Sequence, residues 1–237
     1  MSPTDPRTPE PLVAPQGWSV LHLFATVPGA LDRAGIAKAV AAARGDGYQV
    51  VVAGLLGHKA DVALMIVGED LWRLRAFQSE VAGAGLRLET SYVSLTEVSE
   101  YAAGVPEEMR RARLYPELPP PDKRAFCFYP MSKRRVADDN WYRLEFERRK
   151  ELMLGHGAVG RTFRGRVLQL ITGSTGLDDW EWGVTLFGRT LEDLKDCVYQ
   201  MRFDEASARY AEFGPFYVGA VDELDVVLDA VARGTPG

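Results

Sequence analysis

Cysteine and histidine are scarce in this chain. Its 237 residues include two cysteines, Cys127 and Cys197, and three histidines, His22, His58 and His156. The two thiols have no metal-ligand spacing, which argues against a disulfide framework and a zinc site and points to a reducing, cytoplasmic setting. Long apolar runs are missing as well. Nothing approaches the roughly 18 consecutive apolar residues of a membrane span. Met1–Gln16 carries five prolines and no apolar stretch of signal-peptide type, so it reads as a disordered lead-in. The Gly-rich stretch at Gly173 has neither the lysine of a Walker loop nor the spacing of a dinucleotide fingerprint.

Charge is unevenly spread. The net charge is -5, yet Arg110 to Arg166 holds 15 Lys or Arg against 7 Asp or Glu. A basic middle in an acidic protein is a landing zone for an anion. Part of it, Arg143 to Lys150, reads as a solvated helix face, with Glu145 and Arg149 at the favourable i,i+4 spacing. Nucleic acid fits poorly, because the pI is acidic and no stacking motif is present. A small polyanion fits better.

The pattern repeats. Trp18–Val27, Tyr48–Leu56, Val62–Val67 and Leu86–Val93 read as strands, with helices at Leu31–Ala43 and Leu71–Ala84. The order returns as strand Ala125–Met131, helix Leu144–Leu154, strands Arg166–Thr172 and Trp180–Phe187, helix Leu191–Met201 and strand Phe216–Val221. A final helix spans Asp222–Arg233. Each copy is β-α-β-β-α-β, so the expected fold is α+β: two ferredoxin-like repeats forming a dimeric α+β barrel within one chain. The expected divisions are 1–16 lead-in, 17–100 first repeat, 101–123 connection and 124–237 second repeat.

Unusual polar residues concentrate in the second repeat. Strand alternation puts Cys127, Tyr129, Met131 and Lys133 on one face, with Phe126 and Phe128 on the other. Tyr129 and Lys133 then share a wall, or else the tyrosine simply bonds backbone and the lysine snorkels to water. Gln169 interrupts an apolar strand with an amide that needs partners or a ligand. His156 follows Leu152 and Met153 on one helix face, with Gly157 as a C-cap, and so points inward. A lone inward histidine is either a satisfied core residue or the one protein ligand of a haem. His22 and His58 read as structural. Trp180–Phe187 reads as core or subunit contact, and the segment Met201–Gly219 as a binding loop.

Several motifs resemble one family. They are Phe128-Tyr129-Pro130-Met131-Ser132-Lys133-Arg134-Arg135, Asn140-Trp141-Tyr142, His156-Gly157, Ile171-Thr172-Gly173-Ser174, Leu177 to Phe187, and Met201 to Ser207. Together they resemble the chlorite dismutase superfamily, most closely its coproheme decarboxylase branch, also called HemQ. The likeness is strong from Arg113 to Gly219. It implies that His156 ligates iron, Tyr129 is the catalytic tyrosine and Lys133 assists it. It further implies that Arg113 and Ser207 bind propionates, Met131 lines the porphyrin pocket and Gln169 occupies the distal position, where chlorite dismutases have arginine. The implied reaction is peroxide-dependent decarboxylation of Fe-coproporphyrin III (coproheme) to haem b, in a cytoplasmic homopentamer supplied by a ferrochelatase. A haem-handling protein without catalysis, a chlorite dismutase-like enzyme and a purely structural barrel are the alternatives.

Overall fold

Period-two alternation of apolar side chains builds the first repeat: strands β1 (Ser19–Thr26), β2 (Gln49–Leu56), β3 (Val62–Gly68) and β4 (Arg87–Thr96). The structure is a computed structural model and describes residues 9–102 and 104–232. Helices α1 (Arg33–Gly45) and α2 (Leu71–Gly83) start where an aspartate accepts an otherwise unpaired N–H. Gly35 donates to Asp32 at 2.8 Å and Trp72 to Asp70 at 3.1 Å. In the connection lies α3 (Glu107–Leu114). The second repeat runs β5 (Ala125–Lys133), α4 (Phe146–Arg161), β6 (Val167–Gly173), β7 (Trp182–Gly188) and α5 (Leu191–Met201), then β9 (Tyr217–Val221). Before β9 come α6 (Glu205–Ala208) and β8 (Ala211–Phe213), and α7 (Leu224–Ala232) follows it.

Each repeat orders its strands in the ferredoxin-like way, β4-β1-β3-β2 and β9-β5-β7-β6. Two seams join them, β2 with β9 and β4 with β6, so eight antiparallel strands close into a barrel and β8 adds to β5. Strand parity then sorts the side chains into three layers. Phe24, Val51, Met65, Phe126, Phe128 and Phe187 fill the barrel. Leu21, Leu23, Val52, Leu64 and Ile66 face outward under α1, α2 and α7. On the other side Cys127, Tyr129, Val184 and Leu186 face Phe163 and the α5 residues Leu194 and Cys197.

His22 belongs to the barrel interior, in keeping with a structural role. Its Nε2 lies 2.9 Å from Thr185 Oγ1, tying β1 of one repeat to β7 of the other, and its ring packs 4.4 Å from Phe128. Nδ1 has no partner, and burial pushes the imidazole pKa down to about 3.

The structure departs from the sequence expectations at several points. α4 does not end at Gly157 but continues to Arg161, so His156 stands inside the helix. Gly157 is not at positive φ and supplies no left-handed cap; the backbone turns at Gly165, φ 84°. Arg149 pairs with Glu100 at 3.6 Å and with the Tyr101 hydroxyl at 3.0 Å, not with Glu145. Of the two readings for Trp180–Phe187, core holds for the part in β7, which has a strand on both sides and largely buried residues. Part of the expected lead-in is docked: Leu12 donates to Asp70 at 2.9 Å and Val13 bridges to the same residue. The remainder, 1–8, and Arg233 of the expected last helix lie outside the described residues.

Candidate functional site

Two registers set the wall of the site. Across the outer face of the second repeat, Tyr129 pairs with Val184 and Val184 with Ile171; one row on, Cys127 pairs with Leu186 and Leu186 with Gln169. Met131, Trp182 and Gly173 form the next row on the other side. Tyr129, Met131, Ile171 and Gln169 therefore share one face. This face is incompletely covered. Helix α1 packs directly on β2, but its counterpart α4 packs mainly on α5 and α6. Val50 and Val52 of β2 are buried, whereas Ile171 of the equivalent β6 is 43% exposed and Leu154 of α4 is 55% exposed. Ile171, with the half-buried Met131 and Gln169 on the same face, leaves partly uncovered surface where a largely apolar ligand could lie.

Tyr129 stands on this face. Its ring stacks on Phe216 at 4.5 Å and meets Phe213 edge-on at 5.7 Å. Its hydroxyl makes no hydrogen bond among the described residues. Burial, with the nearby Cys127 thiol, pushes its pKa above the ordinary phenol value, so the group is neutral throughout the physiological range. Burial also raises the Cys127 thiol to about 12 and Cys197 to about 11. Neither is a thiolate nucleophile.

His156 is held from below by α6. Its Nδ1 lies 3.0 Å from Asp204 Oδ2 and 3.4 Å from Ser207 Oγ. Asp204 has a second task as the N-cap of α6, accepting from Ser207 N at 3.2 Å. Burial raises the Asp204 carboxyl, but hydrogen bonds from His156 and Ser207 outweigh it and hold the group below the usual carboxylate range. With Nδ1 engaged, the imidazole orientation is set and Nε2 is the ring nitrogen left to meet a ligand.

The remaining residues fall at different distances from this centre. Lys133 shares the parity of Tyr129, but its ammonium is turned away, donating to the Ala206 carbonyl at 3.0 Å and lying 4.2 Å over the Trp141 ring. Burial lowers its pKa to about 8, against the raising influence of Asp204 and Glu181. Gln169 donates its amide to Gly160 O at 3.2 Å, and a Cβ at position 160 would come within 3.3 Å of that amide. A side chain at position 160 would therefore require the Gln169 amide to shift by a few tenths of an ångström. Ser207 is buried beside His156, and Met131 is half-buried in the Trp182 row. Arg113 is exposed on α3 and makes no ion pair among the described residues. Its neighbour Arg110 lines a groove of about 700 Å³ with Glu97 and Trp182.

Sequence reasoning included Asp204 and Trp141 in the motifs that carry the resemblance but gave neither a role. The signal for Asp204 was available, since an aspartate directly before Glu205-Ala206-Ser207-Ala208 has N-cap character. Trp141 carried no such signal. Among the described residues no three His, Cys, Asp or Glu side chains could together hold a bare metal ion, and no helix is long and apolar enough to cross a membrane. The donor set, one anchored imidazole with no second metal-ligating side chain beside it among the described residues, fits a metal that arrives in a flat organic ligand.

Comparison with known proteins places this geometry. A candidate heme-binding protein of Natronomonas pharaonis is 46% identical over 182 residues, covering 70% of this chain. The chain spans about 30% of the length of that relative. A heme-binding protein of Thermus thermophilus has 34% identity and a TM-score of 0.81, with 92% of this chain and 96% of that one covered. A mutant chlorite dismutase of Candidatus Nitrospira defluvii shares the fold, with 22% identity, a TM-score of 0.73 and coverage of 92% and 97%. Residues 32–222, from the α1 cap through both repeats, match the family described as chlorite dismutase, and the chain belongs to that family.

Proposed function

We propose that this chain binds Fe-coproporphyrin III as substrate and, with hydrogen peroxide, converts two of its propionates to vinyl groups, giving haem b. One combination carries the reading: α4 holds a single imidazole anchored by Asp204, and the outer face of the same repeat carries the exposed Ile171 and the buried ring of Tyr129, whose hydroxyl makes no hydrogen bond among the described residues. The two heme-binding relatives support the choice of ligand class.

Bound at His156, the iron porphyrin supplies the redox reaction with peroxide. The protein's part is hydrogen-atom transfer and anchoring. Tyr129, kept neutral by burial, gives up its phenolic hydrogen and then takes one from the propionate β-carbon. Loss of one more electron breaks the bond to the carboxylate and CO2 leaves. Each propionate thus consumes one peroxide and one proton and yields a vinyl group, CO2 and two waters. Arg113 and Ser207 are assigned to propionates, where each charge-assisted bond contributes roughly 1.5–3 kcal/mol, while the Lys133 ammonium stays on Ala206 O and Trp141 and makes no such bond. Met131 is assigned to the macrocycle edge and Gln169 to the distal position. Gln169 brings no cation to hold a chlorite-derived oxyanion, which favours decarboxylation over chlorite chemistry.

The test is to add ferric coproporphyrin III to the purified protein, titrate peroxide and follow the porphyrin by absorbance and mass spectrometry. Stepwise loss of two carboxyl groups is expected. Tight binding without mass change would leave the second reading, a haem-handling protein, which the names of the two relatives favour. Absence of binding would return the chain to a structural barrel. The proposal extends to a cytoplasmic homopentamer receiving coproheme from a ferrochelatase, and sedimentation equilibrium checks the subunit count.

Asp204→Asn provides a second check. An asparagine that still accepts from Ser207 N presents an N–H donor to His156 Nδ1 in place of a carboxylate acceptor, which moves the imidazole proton to Nε2, the nitrogen a metal would need. Affinity for ferric coproporphyrin is expected to fall about 10- to 100-fold, the usual effect of removing an outer partner of a metal-binding histidine. Unchanged affinity in an absorbance titration would remove Asp204 from the site.

A further inference from the structure

Trp141 is 3% exposed and packs with Leu152, Ala206 and Tyr210, with Met153 beside it. Leu152 and Met153 lie four and three residues before His156, on the same helix face. The indole meets Tyr210 at 5.5 Å and Tyr101 at 6.4 Å, both edge-on, and Tyr101 is half-buried near the surface. Such a set of oxidisable rings is a route by which an oxidising equivalent escapes. Tyr129 is outside it, in the cluster with Phe213 and Phe216. Oxidising chemistry at His156 therefore has two aromatic outlets.

One group separates the outlets. The Lys133 ammonium, in a side chain 7% exposed, sits 4.2 Å over the Trp141 ring and is pinned there by its bond to Ala206 O. Removing an electron from indole creates positive charge directly beneath a fixed cation in a region of low dielectric, where repulsion is weakly screened. Removing a hydrogen atom from neutral Tyr129 creates no charge. Resting on the decarboxylase reading, we propose that Lys133 is an electrostatic guard that makes Trp141 the harder group to oxidise and reserves the oxidising equivalent for Tyr129. Lys133 is then a positioning residue for the electron hole, acting through Trp141.

The guard is tested first without porphyrin. Photogenerated tris-bipyridine ruthenium(III) takes one electron from tryptophan and returns to ruthenium(II). The indole radical cation loses its proton to water, takes up dioxygen and ends as oxygenated tryptophan, read by peptide mass spectrometry. Trp72, on α2 of the other repeat, is the internal reference. Lys133→Met, which keeps an unbranched side chain over the ring, is expected to raise Trp141 oxidation relative to Trp72 by about tenfold, equivalent to about 59 mV for one electron. Lys133→Arg should stay near wild type. Lys133→Gln, whose amide can still donate to Ala206 O, replaces the Met variant if that one fails to fold. Equal Trp141 oxidation in folded wild-type and neutral variants would overturn the guard.

A second arm uses protein loaded with ferric coproporphyrin and treated with peroxide. Loss of the Lys133 charge should move oxygen insertion onto Trp141, and adding Trp141→Phe should abolish that insertion. No gain at Trp141 would overturn the steering role. The first arm contains no porphyrin, so a failed decarboxylase reading and a failed guard give different results.

Discussion

Replacing Tyr129 by phenylalanine should abolish conversion of coproheme to haem b while leaving the protein folded and able to bind the porphyrin. The hydroxyl has no hydrogen-bond partner among the described residues, so its removal breaks no internal bond. The phenyl ring still fits between Phe213 and Phe216. A stability change within about 1 kcal/mol is expected, since the hydroxyl makes no internal hydrogen bond among the described residues. What is lost is the O–H on this wall that can exchange a hydrogen atom with a propionate at neutral charge. Mass spectrometry of the porphyrin after peroxide addition should show unaltered coproheme, with an absorbance titration confirming binding. Wild-type turnover in Tyr129→Phe would end the radical role of this residue.

The second large effect is acid sensitivity arising in the barrel, far in function from the proposed chemistry. His22 is fully enclosed, one of its nitrogens is unpaired, and its pKa is pushed from an ordinary 6.5 to about 3 by burial. Between these values the unfolded chain takes up a proton that the folded chain refuses, so stability is full above about pH 6.5 and is lost as pH falls toward 3. At about pH 4 the loss from this one group amounts to about 3 kcal/mol. Urea unfolding at pH 7 and pH 4 measures it. In His22→Gln the side chain can still donate to Thr185 Oγ1 but cannot protonate, so the acid limb should flatten by a similar amount. An identical pH dependence in both proteins would refute the assignment.

Much of this architecture is legible in the chain because its determinants are local. Alternation along Ala125–Lys133 is enough to separate Cys127, Tyr129 and Met131 from Phe126 and Phe128, and the structure keeps that division. The helix expected from Leu71 is found there, capped by Asp70, and the one expected from Leu31 starts two residues later, after its Asp32 cap. The misreadings have equally specific causes. Glycine at 157 suggested a helix end, but glycine only permits a left-handed turn and does not impose one. The Gly160 carbonyl, three residues on, accepts from Gln169 of β6, a partner no local pattern announces. The i,i+4 pairing of Glu145 with Arg149 lost to Glu100 and Tyr101, partners about fifty residues away that no helical periodicity can announce.

The sequence by itself determined the duplication, the α+β class, the sharing of one face by Tyr129, Met131 and Lys133, and the singularity of His156, because each follows from residue type and short-range period. Only the tertiary structure decided that the two sheets close through β2 with β9 and β4 with β6, and that His22 reaches Thr185 across the barrel. It also decided that Asp204 anchors His156 and that the Lys133 ammonium rests on Trp141 instead of beside Tyr129. These contacts join residues far apart in the chain. Their partners are chosen by which surfaces meet when the barrel closes and which buried charges and polar atoms must then be paired, and neither condition exists until the fold is complete.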